Sequence, residues 1–206
     1  YWVVKVDNSG TIMWEKTFGF SGSDQAFKAI QTSDGGYFVT GFFDVSASGG
    51  AGNDFQRGIM HGVGEFWGIK LNARGNTQWR RYFGGTNNDR SYDAHETADG
   101  GFLMTGTSES VDFDKTDPKG SYDYWAVRLT ADGDLVWTKS FGGDEIDNSY
   151  ASIKTNDGNY IMVGDSRSSD QDVTSPQGNA DAWMVKFDDN GNKIWQKSFG
   201  GSQFDT

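Results

Sequence analysis

Two columns of tryptophan at a fixed spacing limit what this chain can fold into. Trp2, Trp67, Trp125 and Trp183 are separated by 65, 58 and 58 residues, and Trp14, Trp79, Trp137 and Trp195 have the same separations. These are all eight tryptophans of the 206-residue chain. The same offsets relate Phe18, Phe83, Phe141 and Phe199, and also Asp24, Asp89, Asp147 and Asp205. The sequence is therefore a repeat of about 58 residues, with extra residues in the first copy between Gly41 and Trp67.

The sequence pattern of each repeat predicts four short β-strands. In the first complete copy, AFKAIQT, GYFVTGF, FWGIKLN and TQWRRYF are alternating or continuous apolar runs bounded by Gly, Asp or Asn. SDGG joins the first pair and NARG joins the second, and glycine in such turns permits a positive φ. No stretch has the apolar period of an α-helix. Four-stranded antiparallel sheets repeated radially form a β-propeller, so we predict an all-β propeller.

The repeat boundaries predict an incomplete propeller. Residues 1–19 form a partial blade, 20–84, 85–142 and 143–200 form whole blades, and 201–206 begin another. An open propeller would leave blade faces covered with tryptophan exposed to solvent. We therefore expect the chain to be part of a longer propeller, or of a larger complex, with about six to eight blades. The alternative is a four-bladed ring that closes with an incomplete blade.

Charge and composition exclude several classes of function. Acidic residues outnumber basic ones 29 to 18, so nucleic acid, which is bound by clustered Lys and Arg, is not an expected partner. No apolar run approaches the roughly 18 residues that span a membrane, so no direct membrane insertion is expected. Cysteine is absent, which excludes disulfides and thiolate metal sites but leaves the cellular compartment open.

The repeated motif resembles a known group of bacterial repeats. Trp-x-Val-Lys is followed by Gly-x-x-x-Trp-x-Lys-x-Phe-Gly-Gly and later by Asp-Gly-Gly. This pattern is similar to β-propeller repeats of Bacteroidota-type secreted and cell-surface proteins, and the resemblance covers nearly the whole chain. It implies a secreted or surface-displayed module. The hairpins DNSGTIMW and DDNGNKIW also look like the Asp-box of sialidase-like propellers, although Gly and Trp are four residues apart here instead of three.

The aspartate column has two interpretations. Asp24, Asp89, Asp147 and Asp205 each precede the first strand of a repeat. They could form a ring of carboxylates at a channel mouth. Alternatively, each could cap a turn or pair with the repeated cation Lys16, Arg81, Lys139 or Lys197. Because a catalytic site usually needs different residues from different blades, identity in every repeat favours the structural interpretation.

Two acidic loops predict calcium sites. Residues 111–123, VDFDKTDPKGSYD, and 169–181, SDQDVTSPQGNAD, place two aspartates two residues apart and a third nine residues later. Ca²⁺ binds several oxygens on flexible loops. The predicted ligands are Asp112, Asp114 and Asp123 in one loop and Asp170, Asp172 and Asp181 in the other; in the first copy Glu65 takes the last place. The alternative is that these are solvated turn acids.

The longest variable segment, residues 43–65, predicts a partner-binding surface. It contains Phe55, Arg57, Met60 and His61 among glycines, an adaptable composition for contacts with a partner. The equivalent segments 107–123 and 165–181 are expected on the same face. The alternative is a longer connecting loop. The second histidine, His95, occupies the place of Ile30 and Ile153, which predicts a partly buried strand residue.

These features favour a non-enzymatic surface module that binds protein or glycan through its loops. The alternative is a glycoside hydrolase or lyase of the sialidase-like kind. We also expect Trp79, Trp137 and Trp195 to be largely buried against the neighbouring blade, because each shares a strand face with a repeated phenylalanine.

Overall fold

The structure is a computed structural model that describes residues 1–49, 51–53, 61–62 and 64–205. Within these ranges the chain is all-β, with 14 strands in four antiparallel sheets. The N-terminal half sheet contains β1 (Trp2–Val6) and β2 (Ile12–Thr17). Sheet 1 contains β3 (Gln25–Gln31), β4 (Tyr37–Phe43), β5 (Glu65–Leu71) and β6 (Thr77–Phe83).

The two remaining sheets repeat this arrangement. Sheet 2 contains β7 (Asp89–Glu96), β8 (Phe102–Ser108), β9 (Asp123–Leu129) and β10 (Leu135–Phe141). Sheet 3 contains β11 (Asp147–Lys154), β12 (Tyr160–Ser166), β13 (Asp181–Phe187) and β14 (Lys193–Phe199). Each sheet pairs its strands in chain order, so the predicted four-stranded antiparallel sheets are present. A single-turn helix, α1 (Val45–Ser48), lies in the extra segment of the first repeat. Nothing in the described part of the chain is a helix long and apolar enough to cross a membrane.

Consecutive sheets pack face to face, and each junction holds one hydrophobic cluster. We call the side of a sheet that packs on the next sheet its forward face, and the opposite side its rear face. Trp67, Trp125 and Trp183 lie on the rear faces and are fully buried. Phe66 of sheet 1, for example, contacts the Trp125 ring edge-on at a centroid distance of 4.7 Å. The alternating strand pattern supplies one apolar residue to each face in turn.

The tryptophans of the second column, Trp14, Trp79, Trp137 and Trp195, explain why each hairpin has a glycine four residues before its tryptophan. On the forward face, each tryptophan covers the glycine turn of the following sheet, so that Trp79 lies over Gly133 and Trp137 over Gly191. The Trp79 indole N–H also donates to the Ala131 carbonyl at 2.9 Å. Trp79 is buried, as expected, whereas Trp137 is half-buried. Trp195 is also half-buried.

The first strands of consecutive sheets lie side by side. β7 contacts β3 on one side and β11 on the other, so these three strands line one side of the stack. The fourth strands lie at the other edge of each sheet. This arrangement brings residues at equivalent positions of β3, β7 and β11 close together although they are 58 or 65 residues apart in sequence.

Candidate functional site

The repeated aspartate caps the turn between consecutive sheets. Asp89 Oδ2 accepts hydrogen bonds from the Gly85 amide at 2.9 Å and the Ser110 hydroxyl at 2.8 Å. Asp147 accepts the same pair from Gly143 and Ser168. Asp24 and Asp205 each accept from the amide four residues earlier in the chain. The turn-cap interpretation is therefore confirmed for all four aspartates.

The alternative pairing of this column with the repeated cation does not occur at Lys139. The Lys139 ammonium pairs with Asp117 at 2.9 Å, away from the capping aspartate Asp147. A carboxylate that accepts backbone and hydroxyl hydrogen bonds is satisfied without a cation, because each bond replaces one that water made.

The two Asp-x-Asp motifs accept hydrogen bonds from the linker that connects the preceding sheet to their own sheet. Asp112 accepts from the Thr86 amide at 2.9 Å, and Asp114 accepts from the Gly84 amide at 3.2 Å. In the next repeat, Asp170 accepts from the Asp144 amide at 3.0 Å and Asp172 from the Gly142 amide at 3.4 Å. The residue between each pair of aspartates adopts a positive φ, 51° at Phe113 and 49° at Gln171. This uncommon conformation directs both carboxylates to one linker.

The structure groups the predicted calcium ligands differently from the sequence. Asp112 and Asp114 share their linker with Glu65 and Asp89, since both of these carboxylates lie within 2.3 Å of the point where a Cβ on Gly84 would stand. Asp123 instead lies beside Gly142 with Asp147, on the linker that Asp170 and Asp172 contact. Asp181 lies beside Gly200 with Asp205. Each junction thus combines acids from two successive repeats.

One junction carboxylate has a buried counter-ion. Asp123 Oδ2 accepts from the Lys115 ammonium at 2.7 Å and the Lys119 amide at 2.9 Å, and the side chains of Asp123 and Lys115 are fully buried. In the following repeat Val173 stands where Lys115 does, and Asp181 Oδ2 accepts a hydrogen bond from the Gln177 amide. The Oδ1 atoms of Asp123 and Asp181 are buried and have no hydrogen-bond partner.

Burial raises the pKa of the carboxyl groups that lie at the junctions between sheets. It raises the pKa of Asp89 and that of Asp147 to about 6, and the neighbouring Asp123 contributes to the rise at Asp147. Burial also raises the pKa of Asp123, and burial together with the Asp89 charge raises the pKa of Glu65 well above its usual range. The cause is that an ionised carboxylate loses its hydration in a protein interior.

The described residues contain no group of three or more His, Asp or Glu side chains arranged to hold a metal ion. The acids of the junctions point to backbone amides, hydroxyls and Lys115. Calcium at Asp112, Asp114, Asp123, Asp170, Asp172 and Asp181 stays a prediction.

Three of the four predicted partner-binding residues, Phe55, Arg57 and Met60, lie outside the described residues. His61 is described. Its Nδ1 lies 3.2 Å from Glu65 Oε2, and its ring stacks on Phe113 at a centroid distance of 5.1 Å. The ring also meets Tyr82 edge-on. His61 therefore contacts the acidic junction between sheets 1 and 2 with most of its surface.

A column of aromatic side chains, which the sequence analysis missed, lines the first strands. Phe27, Tyr92 and Tyr150 occupy equivalent positions in β3, β7 and β11. Each is the extra residue of a β-bulge, because the pairing with the second strand skips it. Neighbouring rings are in contact, with centroid distances of 4.8 Å for Phe27 and Tyr92 and 6.1 Å for Tyr92 and Tyr150. The common offsets of 65 and 58 residues were the available sequence signal.

The aromatic column faces solvent, unlike the tryptophan columns. Phe27 is exposed, Tyr92 is half-buried and Tyr150 is 54% exposed. Burial and a hydrogen bond to Asp165 raise the pKa of Tyr150 to about 12, so the phenol remains protonated at physiological pH. A bulge bends its strand and redirects a side chain, and bulges are frequent beside binding sites. Here the same bulge in three sheets aims three rings to one side.

A small polar pocket adjoins the column between sheets 2 and 3. Its volume is about 100 Å³, and it is lined by Asn88, Arg90, Tyr92, Thr107, Tyr122 and Asn148. Asn88 donates to Glu109 at 3.1 Å, and burial together with a hydrogen bond to Glu109 raises the pKa of Tyr122. Pockets that enclose a whole small molecule are typically larger, about 300 Å³ or more. This pocket therefore suits one small polar group of a larger ligand.

A histidine–serine contact lies on the adjacent part of the same junction. His95 Nε2 is 2.8 Å from Ser152 Oγ, and Ser152 Oγ is also 2.7 Å from Thr105 Oγ1. Ser152 is 5% exposed, and the nearby Asp93 binds Lys28 and the Ser152 amide. Burial lowers the pKa of His95. The hydroxyl is thus held inside a hydrogen-bond network, and His95 is a partly buried strand residue as expected.

The chain is not matched by any protein-family model or by any curated protein sequence. A solved structure described as a protein of unknown function from Bacteroides caccae is similar to it in part. The superposition has a TM-score of 0.45 at 10% sequence identity and covers 97% of this chain and 77% of that one. A likeness at this level carries no functional argument.

Proposed function

We propose that the chain is a segment of a β-propeller and acts as a non-enzymatic, secreted or cell-surface module that binds glycan or protein. In this proposal the four sheets are blades, and β3, β7 and β11 line the propeller axis. The location follows from the resemblance of the repeated motif to surface-protein repeats. The observation that carries the binding role is the bulge repeated in three sheets, which presents Phe27, Tyr92 and Tyr150 as one exposed column.

The chemistry of the column suits a sugar chain better than a nucleic acid or a lipid. Exposed aromatic rings offer flat apolar surfaces, and tyrosine adds a polar hydroxyl at one edge. The adjoining pocket supplies amide, hydroxyl and guanidinium donors that could orient one substituent of a sugar. A net charge of −11 disfavours polyanionic ligands.

Two single variants distinguish this site from the loop surface around residues 43–65. Tyr150 and Phe113 are similarly exposed, at 54% and 53%, but Tyr150 lies in the column and Phe113 in the acidic loop that contacts His61. We expect Tyr150→Ala to weaken binding about tenfold or more, because truncating an aromatic residue at the centre of a binding surface typically costs more than about 1 kcal/mol and often about 2 kcal/mol. Phe113→Ala should leave binding within about twofold.

The measurement is a glycan-array screen of the parent chain followed by calorimetric titration of the best ligand. Loss of binding in Phe113→Ala with retention in Tyr150→Ala would move the site to the loop surface. Absence of any glycan binding by the parent would contradict the glycan proposal. Release of a shortened sugar during the titration would favour the hydrolase or lyase alternative.

A further inference from the structure

A cleft of about 430 Å³ opens at the junction between sheets 1 and 2, beside the hairpin turns. It is distinct from the pocket beside Tyr92, because residues at the start of β7 line that pocket, whereas Glu96 at the end of β7 lines the cleft. The lining of the cleft includes Asp34, Lys70 and Gln78 of sheet 1 and Glu96, Ala131 and Asp132 of sheet 2. Its volume lies within the range of about 300–1,000 Å³ that is typical of ligand pockets.

The junction between sheets 2 and 3 shows what the equivalent space holds elsewhere in the chain. There Arg128 Nη2 donates to Asp99 of its own sheet at 2.7 Å, and Arg128 Nε lies 3.5 Å from Asp189 Oδ1 of the next sheet. The Tyr160 hydroxyl donates to the same Asp189 oxygen at 3.2 Å. A guanidinium group of the protein itself therefore spans this junction between carboxylates of two sheets.

Smaller side chains stand at the equivalent positions between sheets 1 and 2. The three replacements are Lys70 for Arg128, Ala131 for Asp189 and Phe102 for Tyr160. Lys70 Nζ binds Asp34 at 2.8 Å, as Arg128 binds Asp99. Its other two contacts, with Gln78 Oε1 at 3.0 Å and the Leu71 carbonyl at 3.2 Å, stay within sheet 1. The cleft therefore lies where a bridging guanidinium stands at the next junction.

The lining of the cleft favours a cation that donates hydrogen bonds. It carries three carboxylates and one ammonium group, and all three donors of that ammonium, Lys70, have acceptors within sheet 1. The Ser33 hydroxyl donates to Glu96 at 2.7 Å, and the Trp79 indole donates to the Ala131 carbonyl at 2.9 Å. These donors are already used, whereas a carboxylate has about four lone-pair sites. The net charge of −11 also attracts a cationic ligand.

We propose that the cleft binds an arginine side chain of a partner polypeptide, with its guanidinium in the place that Arg128 takes at the next junction. The carboxylates of Asp34, Glu96 and Asp132 hold its charge. Arginine suits this place because its guanidinium is always charged and presents five donors in a planar fork that matches carboxylates. The open cleft also leaves room for the methylene stem of the side chain, which a free guanidinium ion lacks. The site is independent of the aromatic column.

Binding is measured by NMR, from the shift of the Trp79 indole N–H resonance as the blocked tripeptide acetyl-Gly-Arg-Gly-amide is added to the chain. We expect a saturable shift with this peptide and none with its citrulline counterpart, which has nearly the same shape without the charge. Glu96→Gln and Asp132→Asn should each raise the Kd about threefold to tenfold, because each removes one carboxylate at a partly exposed site. The matched control is Asp134→Asn, in the same turn but outside the cleft, which should leave the Kd unchanged.

A second variant fills the cleft with the protein's own guanidinium. Lys70→Arg combined with Ala131→Asp copies the junction between sheets 2 and 3, and should raise the Kd for the arginine peptide about tenfold or more. Tyr150→Ala should leave this Kd unchanged, so the outcome is separate from that of glycan binding. No shift with the arginine peptide overturns the proposal, as does equal binding of the citrulline peptide or unchanged binding by the filled variant. Methylguanidinium binding as tightly as the peptide would exclude a polypeptide as the source. Circular dichroism verifies that each variant is folded, and the two carboxylate variants decide the result if the filled variant is not.

Discussion

Two glycines of sheet 2 allow the contact between Trp79 and the turn at Gly133 to be tested by comparing the stability that is lost when each glycine is replaced. Gly133 and Gly100 have nearly the same backbone conformation, with φ of 82° and 81°. A Cβ on Gly133 would stand 2.8 Å from the Trp79 ring, whereas a Cβ on Gly100 would have nothing within 4 Å. Replacing each glycine by alanine therefore imposes the same backbone change, and only Gly133→Ala also crowds the junction.

The expected losses in the free energy of unfolding follow from the backbone strain and from the crowding against Trp79. Alanine in the left-handed region costs about 1–2 kcal/mol, which is partly offset by about 0.4–1 kcal/mol from the stiffer unfolded chain. Gly100→Ala should therefore lower the free energy of unfolding by about 1 kcal/mol. Overpacking adds about 1–3 kcal/mol, so Gly133→Ala should lower it by about 2–4 kcal/mol.

The assay is urea unfolding followed by circular dichroism, with the m-value checked for each variant. Repeating both substitutions in a Trp79→Leu background should remove the difference between them, because the crowding atoms are then absent. Equal losses for Gly100→Ala and Gly133→Ala in the parent chain would refute the assignment of this glycine to the junction.

Three further predictions concern the junctions. The pKa of Asp147 is about 6 in the folded state and about 3.9 in the unfolded chain, so this group binds more protons in the folded state between these values. Asp147 should therefore lower the free energy of unfolding by up to about 3 kcal/mol as pH rises from about 4 to 7, and Asp147→Asn should remove this contribution while that of Asp89 remains. Trp79→Ala should cost about 3–5 kcal/mol in urea unfolding, whereas Trp195→Ala should cost about 1 kcal/mol or less, because Trp195 is only half-buried. Calcium added to the EDTA-treated chain should raise Tm, and Asp112→Asn and Asp170→Asn should each reduce the rise; an unchanged Tm would contradict the predicted calcium sites.

The junction between sheets 2 and 3 buries two carboxyl groups close together. Asp123 and Asp147 lie together beside Gly142, and only Asp123 has a buried cation, Lys115. An uncharged Asp147 avoids the repulsion of the neighbouring Asp123 carboxylate, so this junction is more stable when Asp147 carries a proton.

The sequence by itself determined the elements and their order. The strands, the turns with a positive φ at glycines such as Gly133, and the repeat of about 58 residues all follow from local rules of side-chain alternation and turn chemistry. The burial of Trp79 was predictable for the same reason, since a repeated large apolar residue on one strand face must pack against a neighbour. The capping role of Asp89 followed from its identity in every repeat.

Only the tertiary structure decided which residues meet across the junctions. Asp112 and Asp114 were grouped in sequence with Asp123, but the stacking of sheets places them on the linker at Gly84 beside Glu65. Strand periodicity also did not indicate the aromatic column, because a single bulged residue such as Tyr150 follows no strand period. Strand periodicity reports which face a residue occupies, whereas contacts between repeats depend on how whole sheets pack, and that is set by the summed shape of their faces.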